Sequence, residues 1–174
     1  MAENSIPDIA PAVVAADIEA LFHARYGALV RLAQTLVDER AEAEEVVQES
    51  FERLYARVRR SGDIQQLEFF LHRTVLNGAR SRLRRRRTAR AKAPVLRAEA
   101  RHVSDPLGTH ATTHTIRDAV RRLPRRQQEC VVLHYFEALP VDRIAAVLGI
   151  ASGSVKKHLS RGRDALAEEL GGLR

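Results

Sequence analysis

From Asp17 onward, apolar side chains recur three and four positions apart, the spacing that gathers them on one face of a helix: Ile18, Leu21, Phe22, Leu29, Leu32, Ala33, Leu36 and Val37. Asp17 stands where its carboxylate would cap such a helix. A second series, Ala43, Val46, Val47, Phe51, Leu54, Tyr55 and Val58, follows Asp38, another capping candidate, and stops at the turn chemistry of Ser61-Gly62-Asp63. A third begins near Gln66 and carries Leu67, Phe70, Leu71, Val75, Ala79 and Leu83 before it runs into arginines. Three helices patterned in this way can bury one shared core.

Periodicity fades between about Ala91 and Thr115, where Pro94, Pro106, Gly108 and a Thr/His cluster predict a flexible linker. It returns at Ile116, Val120 and Leu123, breaks at Pro124, and resumes through Val131, Val132, Leu133 and Phe136. Two further helices are predicted, one over Val141 to Leu148 and one from about Ser152 to Leu170, separated by Gly149-Ile150-Ala151. No alternating strand pattern and no internal repeat stands out. The pattern predicts an all-α chain of two small helical domains.

Composition narrows the function. The 174 residues are 45% hydrophobic but only 5% aromatic, so the cores must be built from Leu, Val, Ala and Ile. Lys and Arg number 29 against 22 Asp and Glu, a formal +7, which favours a polyanionic partner without choosing between nucleic acid and an anionic membrane. The single cysteine, Cys130, excludes an intramolecular disulfide framework and fits a reducing compartment. Residues 1–16 lack the basic start and apolar block of a secretory signal, and no stretch approaches the ~20 apolar residues that span a bilayer. A soluble, cytoplasmic protein without membrane insertion is expected.

Three constellations carry chemistry. The short helix with Ile144, Ala145 and Leu148, the Gly149 turn and the basic helix after it form a helix-turn-helix pattern. In such motifs the second helix enters the major groove, where all four base pairs can be told apart. Here that helix offers Ser154, Lys156, Lys157, His158, Ser160, Arg161 and Arg163, with Val155, Leu159 and Leu166 toward the core. An ordinary helical hairpin with a solvated basic face shares part of the pattern; the turn and the charge asymmetry favour DNA reading. The second constellation is the run Arg80, Arg82, Arg84, Arg85, Arg86, Arg87, Arg90 and Lys92, with no acidic residue among them. Such density suits phosphate contacts, whose affinity comes from counterion release, and the run continues a patterned helix rather than a disordered arm. The third has the opposite sign: Asp38, Glu39, Glu42, Glu44, Glu45, Glu49 and Glu52 against Arg40 alone. That surface repels DNA and suits a protein partner with a basic face, although a merely solubilising face has the same charge.

In this order the features resemble the sigma-70 family of RNA polymerase sigma factors. Ala43-Glu44-Glu45-Val46-Val47-Gln48-Glu49-Ser50-Phe51 is similar to the family's region 2 helix, and Phe70-Leu71-His72-Arg73-Thr74-Val75-Leu76-Asn77 to the next helix of that region. Leu123-Pro124, Gly153-Ser154-Val155-Lys156 and Ser160-Arg161-Gly162-Arg163 resemble region 4. The length fits the smallest subclass, the extracytoplasmic-function factors, which keep only these two regions. The resemblance implies an N-terminal tail over 1–16, region 2 over 17–90, a linker over 91–115 and region 4 over 116–174.

It further implies that Glu44, Glu45, Val47, Gln48, Glu49 and Phe51 dock on the clamp helices of the largest subunit of core RNA polymerase. Asn77, Arg80, Arg84 and Arg85 would meet the −10 promoter element, and Ser154, Lys156, Lys157, Ser160, Arg161 and Arg163 the −35 element. Region 4 would also contact the flap of the second-largest subunit, and an anti-sigma factor is a plausible regulator. Some positions depart from the family: Phe70-Leu71 replaces a usual Trp-Leu, and Pro140 and Arg143 remove a capping box, though Pro can open a helix as its first residue. Ala151-Ser152 replaces a usual Ser-Pro, with Ser152 the expected cap one residue later.

Rival classes fit less well. There is no Gly-rich phosphate loop, no Ser/His/Asp set and no nucleophilic cysteine context, so no enzyme and no cofactor is expected. His102, Asp105, His110 and His114 lie close together in sequence, but linker histidines are usually solvated and no metal site is expected. A helix-turn-helix repressor would need a dimer surface. A sigma-like decoy that does not activate polymerase would lack the arginine run and the basic recognition helix.

Overall fold

A computed structural model of the protein describes residues 11–37, 39–61, 66–92 and 111–171. Among them are seven helices and no strand: α1 (Pro11–Gln34), α2 (Arg40–Ser61), α3 (Leu67–Lys92), α4 (Ala111–Arg122), α5 (Arg125–Tyr135), α6 (Val141–Leu148) and α7 (Ser152–Gly171). The expected all-α class is observed.

Helices α1, α2 and α3 pack side by side, α2 in the middle. Leu29, Leu32, Val47, Leu54, Leu71 and Val75 lose essentially all solvent exposure there, and each leucine so buried contributes about 2 kcal/mol of transfer free energy. Phe22 meets Phe51 edge to face at 5.0 Å, closing the end of the α1–α2 contact. Polar groups caught in this core are satisfied locally: the Thr35 hydroxyl donates to the Leu32 carbonyl at 2.7 Å and Ser50 to Val46 at 2.7 Å. Helices α4 to α7 form a second unit around Val120, Cys130, Val131, Leu133, Ile144, Leu148, Val155 and Leu159.

Several helix ends differ from expectation. Asp17 caps nothing; it lies exposed inside α1, which begins at Pro11. Proline presets the first helical φ, and the Ala-rich stretch after it propagates the helix. The expected linker narrows, because α3 runs on to Lys92 and α4 starts at Ala111. Residues 93–110, with His102, Asp105 and His110, lie outside the described residues, as do Asp38 and 62–65; the side chain of His114 is also undescribed. Pro140 sits at the N-cap of α6, one place before the first helical residue, with φ −70° and ψ 155°.

The two units meet along a seam that combines apolar side chains, Leu21, Leu67 and Phe69 facing Leu139 and Val147, with several polar contacts. A helix leaves its last carbonyls without partners, and here the second unit supplies them at the end of α1. Arg121 Nη2 donates to the Gln34 carbonyl at 2.8 Å, and Gln128 Nε2 to the Thr35 carbonyl at 2.5 Å.

Candidate nucleic-acid interface and docking face

The helix-turn-helix depends on one backbone position. Gly149 follows α6 with φ 65° and ψ 42°, the left-handed conformation that glycine adopts without a Cβ penalty. Its amide returns to Ala145, as does that of Ile150 at 3.1 Å, so the chain reverses within three residues. Ser152 does not cap α7 as expected. Its hydroxyl donates to Asp142 Oδ1 at 2.7 Å and ties the start of α7 to the start of α6, while the Ala151 carbonyl accepts from the amides of Ser154 and Val155.

On α7, Val155, Leu159 and Gly162 are buried at positions i, i+4 and i+7, which turns the intervening cations outward. Lys156, Lys157, Arg161 and Arg163 are exposed, and Ser154, His158 and Ser160 are half-buried beside them. This presents a continuous basic face on a rigid helix.

The arginine run of α3 splits into two faces. Arg82 and Arg86, one turn apart, lie back on the acidic helix α2. Arg82 pairs with Glu45 and, at 2.5 Å, with Glu49; Arg86 reaches Glu39 at 2.8 Å and Glu42 at 3.1 Å. Burial works to lower the Arg82 pKa, but the Glu45 and Glu49 carboxylates outweigh it and hold the guanidinium above its ordinary value. Arg84 and Arg85 point to solvent, as does Asn77. Arg87, Arg90 and Lys92 belong to α3, but their side chains are outside the described set.

The expected docking helix needs one correction. Val47 and Phe51 belong to the core, at 0% and 6% exposure, so their side chains are not offered to a partner. The hydrophobic stripe that marks α2 in the sequence faces α1 and α3. The outward set is Glu44, Glu45, Gln48 and Glu49, with Glu44 held by Arg40 at 2.8 Å and Gln48 donating to Glu52 at 3.3 Å.

The most buried charges were not anticipated. Glu129 of α5 is fully buried and receives three arginines: Arg80 at 2.8 and 2.7 Å, Arg125 at 2.9 Å and Arg126 at 3.2 Å. Burial works to raise its pKa, but hydrogen bonds from Arg80 and Arg125 outweigh that and keep the carboxyl below its usual range. Glu137, just past α5, accepts from Arg25 of α1 at 2.9 Å and lies 3.0 Å from His72 Nε2 of α3. Arg125 and Arg126 stand four and three residues before Glu129, a legible helix pairing; its tie to Arg80 across the seam left no local signal. Tyr135, Phe136 and Tyr55 are large exposed apolar side chains, the last with Arg59 over its ring at 5.7 Å.

Among the described residues no group of His, Cys, Asp and Glu is arranged to hold a metal, and no helix is long and apolar enough to cross a membrane.

Comparisons with known proteins match both helical units. The model of sigma-70 region 2 matches residues 21–89 and that of sigma-70 region 4 matches residues 113–166. The chain is 29% identical over 154 residues to the RNA polymerase sigma-E factor of Streptomyces antibioticus, covering 88% of this chain and 84% of that one. It is also 29% identical over 177 residues to the ECF RNA polymerase sigma factor SigM of Mycobacterium tuberculosis, covering 98% and 87%. In fold it is similar to the sigma factor RpoE of Bartonella quintana, solved in complex with the anti-sigma factor NepR. The TM-score is 0.72 at 24% identity, over 91% of this chain and 99% of that one.

Proposed function

The chain belongs to the sigma-70 family of RNA polymerase sigma factors, in its extracytoplasmic-function branch, and directs RNA polymerase to promoters; from that premise we propose how its surfaces divide the work. The basic face of α7, formed by Ser154, Lys156, Lys157, Ser160, Arg161 and Arg163, enters the major groove at the −35 element. The observation that carries this reading is that these side chains project from one rigid helix whose other side, Val155 and Leu159, is locked in the core. Rigid projection lets a cation form a bidentate bond to a base edge instead of following phosphates.

Asn77, Arg80, Arg84 and Arg85 of α3 address the −10 element, the arginines on phosphates. The outward carboxylates of α2, Glu44, Glu45 and Glu49, with Gln48 between them, dock on the clamp helices of the largest polymerase subunit. The second unit rests on the flap of the second-largest. Division of the chain into region 2 at 17–90, a linker and region 4 from 116 follows from the same reading, as do a cytoplasmic location and control by an anti-sigma factor, the kind of partner seen with the Bartonella relative.

The test is run-off transcription by core polymerase on genomic fragments, with and without the protein. New transcripts with fixed start sites, sharing −35 and −10 sequences, are expected. Transcription unchanged by the protein, with core binding intact, would favour a decoy that occupies polymerase without starting it.

A further inference from the structure

Ser154, His158 and Arg161 stand at positions i, i+4 and i+7 of α7 and share one strip of the helix, next to the buried row of Val155, Leu159 and Gly162. The lysines and arginines of the outward face are exposed, whereas His158 is half-buried at the border between that face and the core. One turn further on, Gly162 sits against Val131, so this stretch of α7 lies tight on α5. A ring seated in this way keeps its direction, while the lysines beside it end long, flexible stems.

The two ring nitrogens of His158 have different surroundings. Nδ1 is buried without a hydrogen-bond partner; Nε2 is open to solvent and has no partner among the described residues. A neutral imidazole carries one N–H and one bare nitrogen. A proton on Nδ1 would bury a donor with nothing to receive it, whereas a proton on Nε2 stays where water or a ligand can accept it. Burial therefore selects the tautomer that points an N–H outward. A lysine or arginine is drawn to the phosphates of any sequence. A neutral N–H depends instead on a well-placed acceptor, and on the major-groove edge every purine offers N7, a ring nitrogen that pyrimidines lack.

We infer that His158 is a specificity-determining residue, whose buried Nδ1 pins the ring proton on Nε2 and so presents a neutral N–H to a purine N7 in the −35 element. The inference rests on the proposed −35 role of α7 and adds to it a contact that carries no charge. Cations on the same face supply affinity that falls with salt. The imidazole supplies preference among sequences, and its loss changes that preference while leaving the salt dependence as it was.

The experiment uses the full chain in holoenzyme and duplex promoters that differ at single bases of the −35 element. His158→Ala is expected to lose about fivefold of the preference for a purine at one position, with an unchanged slope of affinity against salt. Replacing that purine by its 7-deaza analogue, which lacks the N7 acceptor, should cost the wild type the same factor and cost His158→Ala nothing. His158→Gln, whose amide N–H reaches about as far as Nε2–H, should keep most of the preference. Nitrogen-15 correlation spectra of the free chain at about pH 8, where imidazole is ordinarily neutral, should show the His158 ring proton on Nε2. Circular dichroism checks helicity; if His158→Ala fails to fold, His158→Leu fills the space without a donor and replaces it. A ring proton on Nδ1 overturns the inference at its first step. A uniform loss on every sequence, a shallower salt slope, or a 7-deaza cost equal in wild type and variant overturns the base contact. If Arg161→Ala and His158→Ala both leave discrimination unchanged, the −35 reading of α7 itself fails; if His158→Ala alone does so, only this inference fails.

Discussion

Gly162 of α7 backs onto Val131 of α5 so closely that a β-carbon at position 162 would stand 2.8 Å from Val131 Cγ2. Val131 is β-branched and almost fully buried, so it has no free rotamer to retreat into. Gly162→Ala should therefore lower stability by about 1–3 kcal/mol in denaturant unfolding, although alanine in an open helix position would add about 1 kcal/mol. A stabilised variant would show that α5 and α7 part easily to admit the methyl group.

The lone thiol should be inert. Burial pushes the Cys130 thiol up to about 11, and the adjacent Glu129 carboxylate adds to the rise. At pH 8 only roughly one molecule in a thousand would carry the reactive thiolate. Alkylation by iodoacetamide is expected to be at least about a hundredfold slower in the folded chain than in denaturant. Comparable rates in the two states would mean that α5 opens far more often than its packing implies.

The Glu129 cluster sets a pH dependence with a definite sign. Its folded pKa lies below the ordinary 4.5, so its stabilising contribution is complete above that value and is lost as pH falls through the depressed one. The difference in thermal stability between wild type and Glu129→Gln should stay flat between about pH 5 and 8 and shrink only in more acidic buffer. A difference that shrinks near neutrality would show that the arginines do not hold this carboxylate ionised.

How far these features could be read in advance depends on their range along the chain. The stripe Val46, Val47, Leu54 and Val58 announces α2 because a helix repeats its buried face every 3.6 residues, and all four are buried. The Gly149 turn is equally local. The same stripe also carries the limit of motif reading: Val47 and Phe51 belong to a motif implied to dock polymerase, but helical periodicity already assigns them to the core. Arg80 and Arg82 show the other limit. In sequence they are two members of one basic run, yet one reaches across the seam to Glu129 and the other back to Glu45 and Glu49. Only tertiary contacts, separated by dozens of residues, distinguish them.

The docking proposal meets a competitor inside the protein. Arg82 already holds Glu45 and Glu49, and Arg53 lies 3.5 Å from the other Glu49 oxygen, so a basic polymerase surface must compete for these carboxylates. Glu45→Gln with Glu49→Gln, which keeps size and helix propensity, should weaken core polymerase binding by about tenfold, mainly through slower association. Adding Gln48→Ala should deepen the loss. Unchanged polymerase affinity in a fully helical triple variant would remove this face of α2 from the interface.

The last prediction separates base reading from attraction on α7. Lys156, Lys157 and Arg161 are all exposed on the outward face, so each can reach DNA, but only some can do so in the plane of a base edge. A lost phosphate contact weakens binding about equally on every sequence, whereas a lost bidentate base contact costs ~1–3 kcal/mol on the correct base alone. Arginine presents two parallel donors and matches the acceptor pair of guanine, while lysine offers a single mobile ammonium. Arg161→Ala is therefore expected to flatten discrimination at one position of the −35 element, with Lys156→Ala showing a weaker form of the same effect. Lys157→Ala should reduce affinity uniformly and lower the salt slope by about one. The measurement is holoenzyme binding across single-base variants of the −35 element. Uniform losses in all three variants would mean that α7 positions the protein without reading sequence, leaving specificity to α3 or to DNA shape.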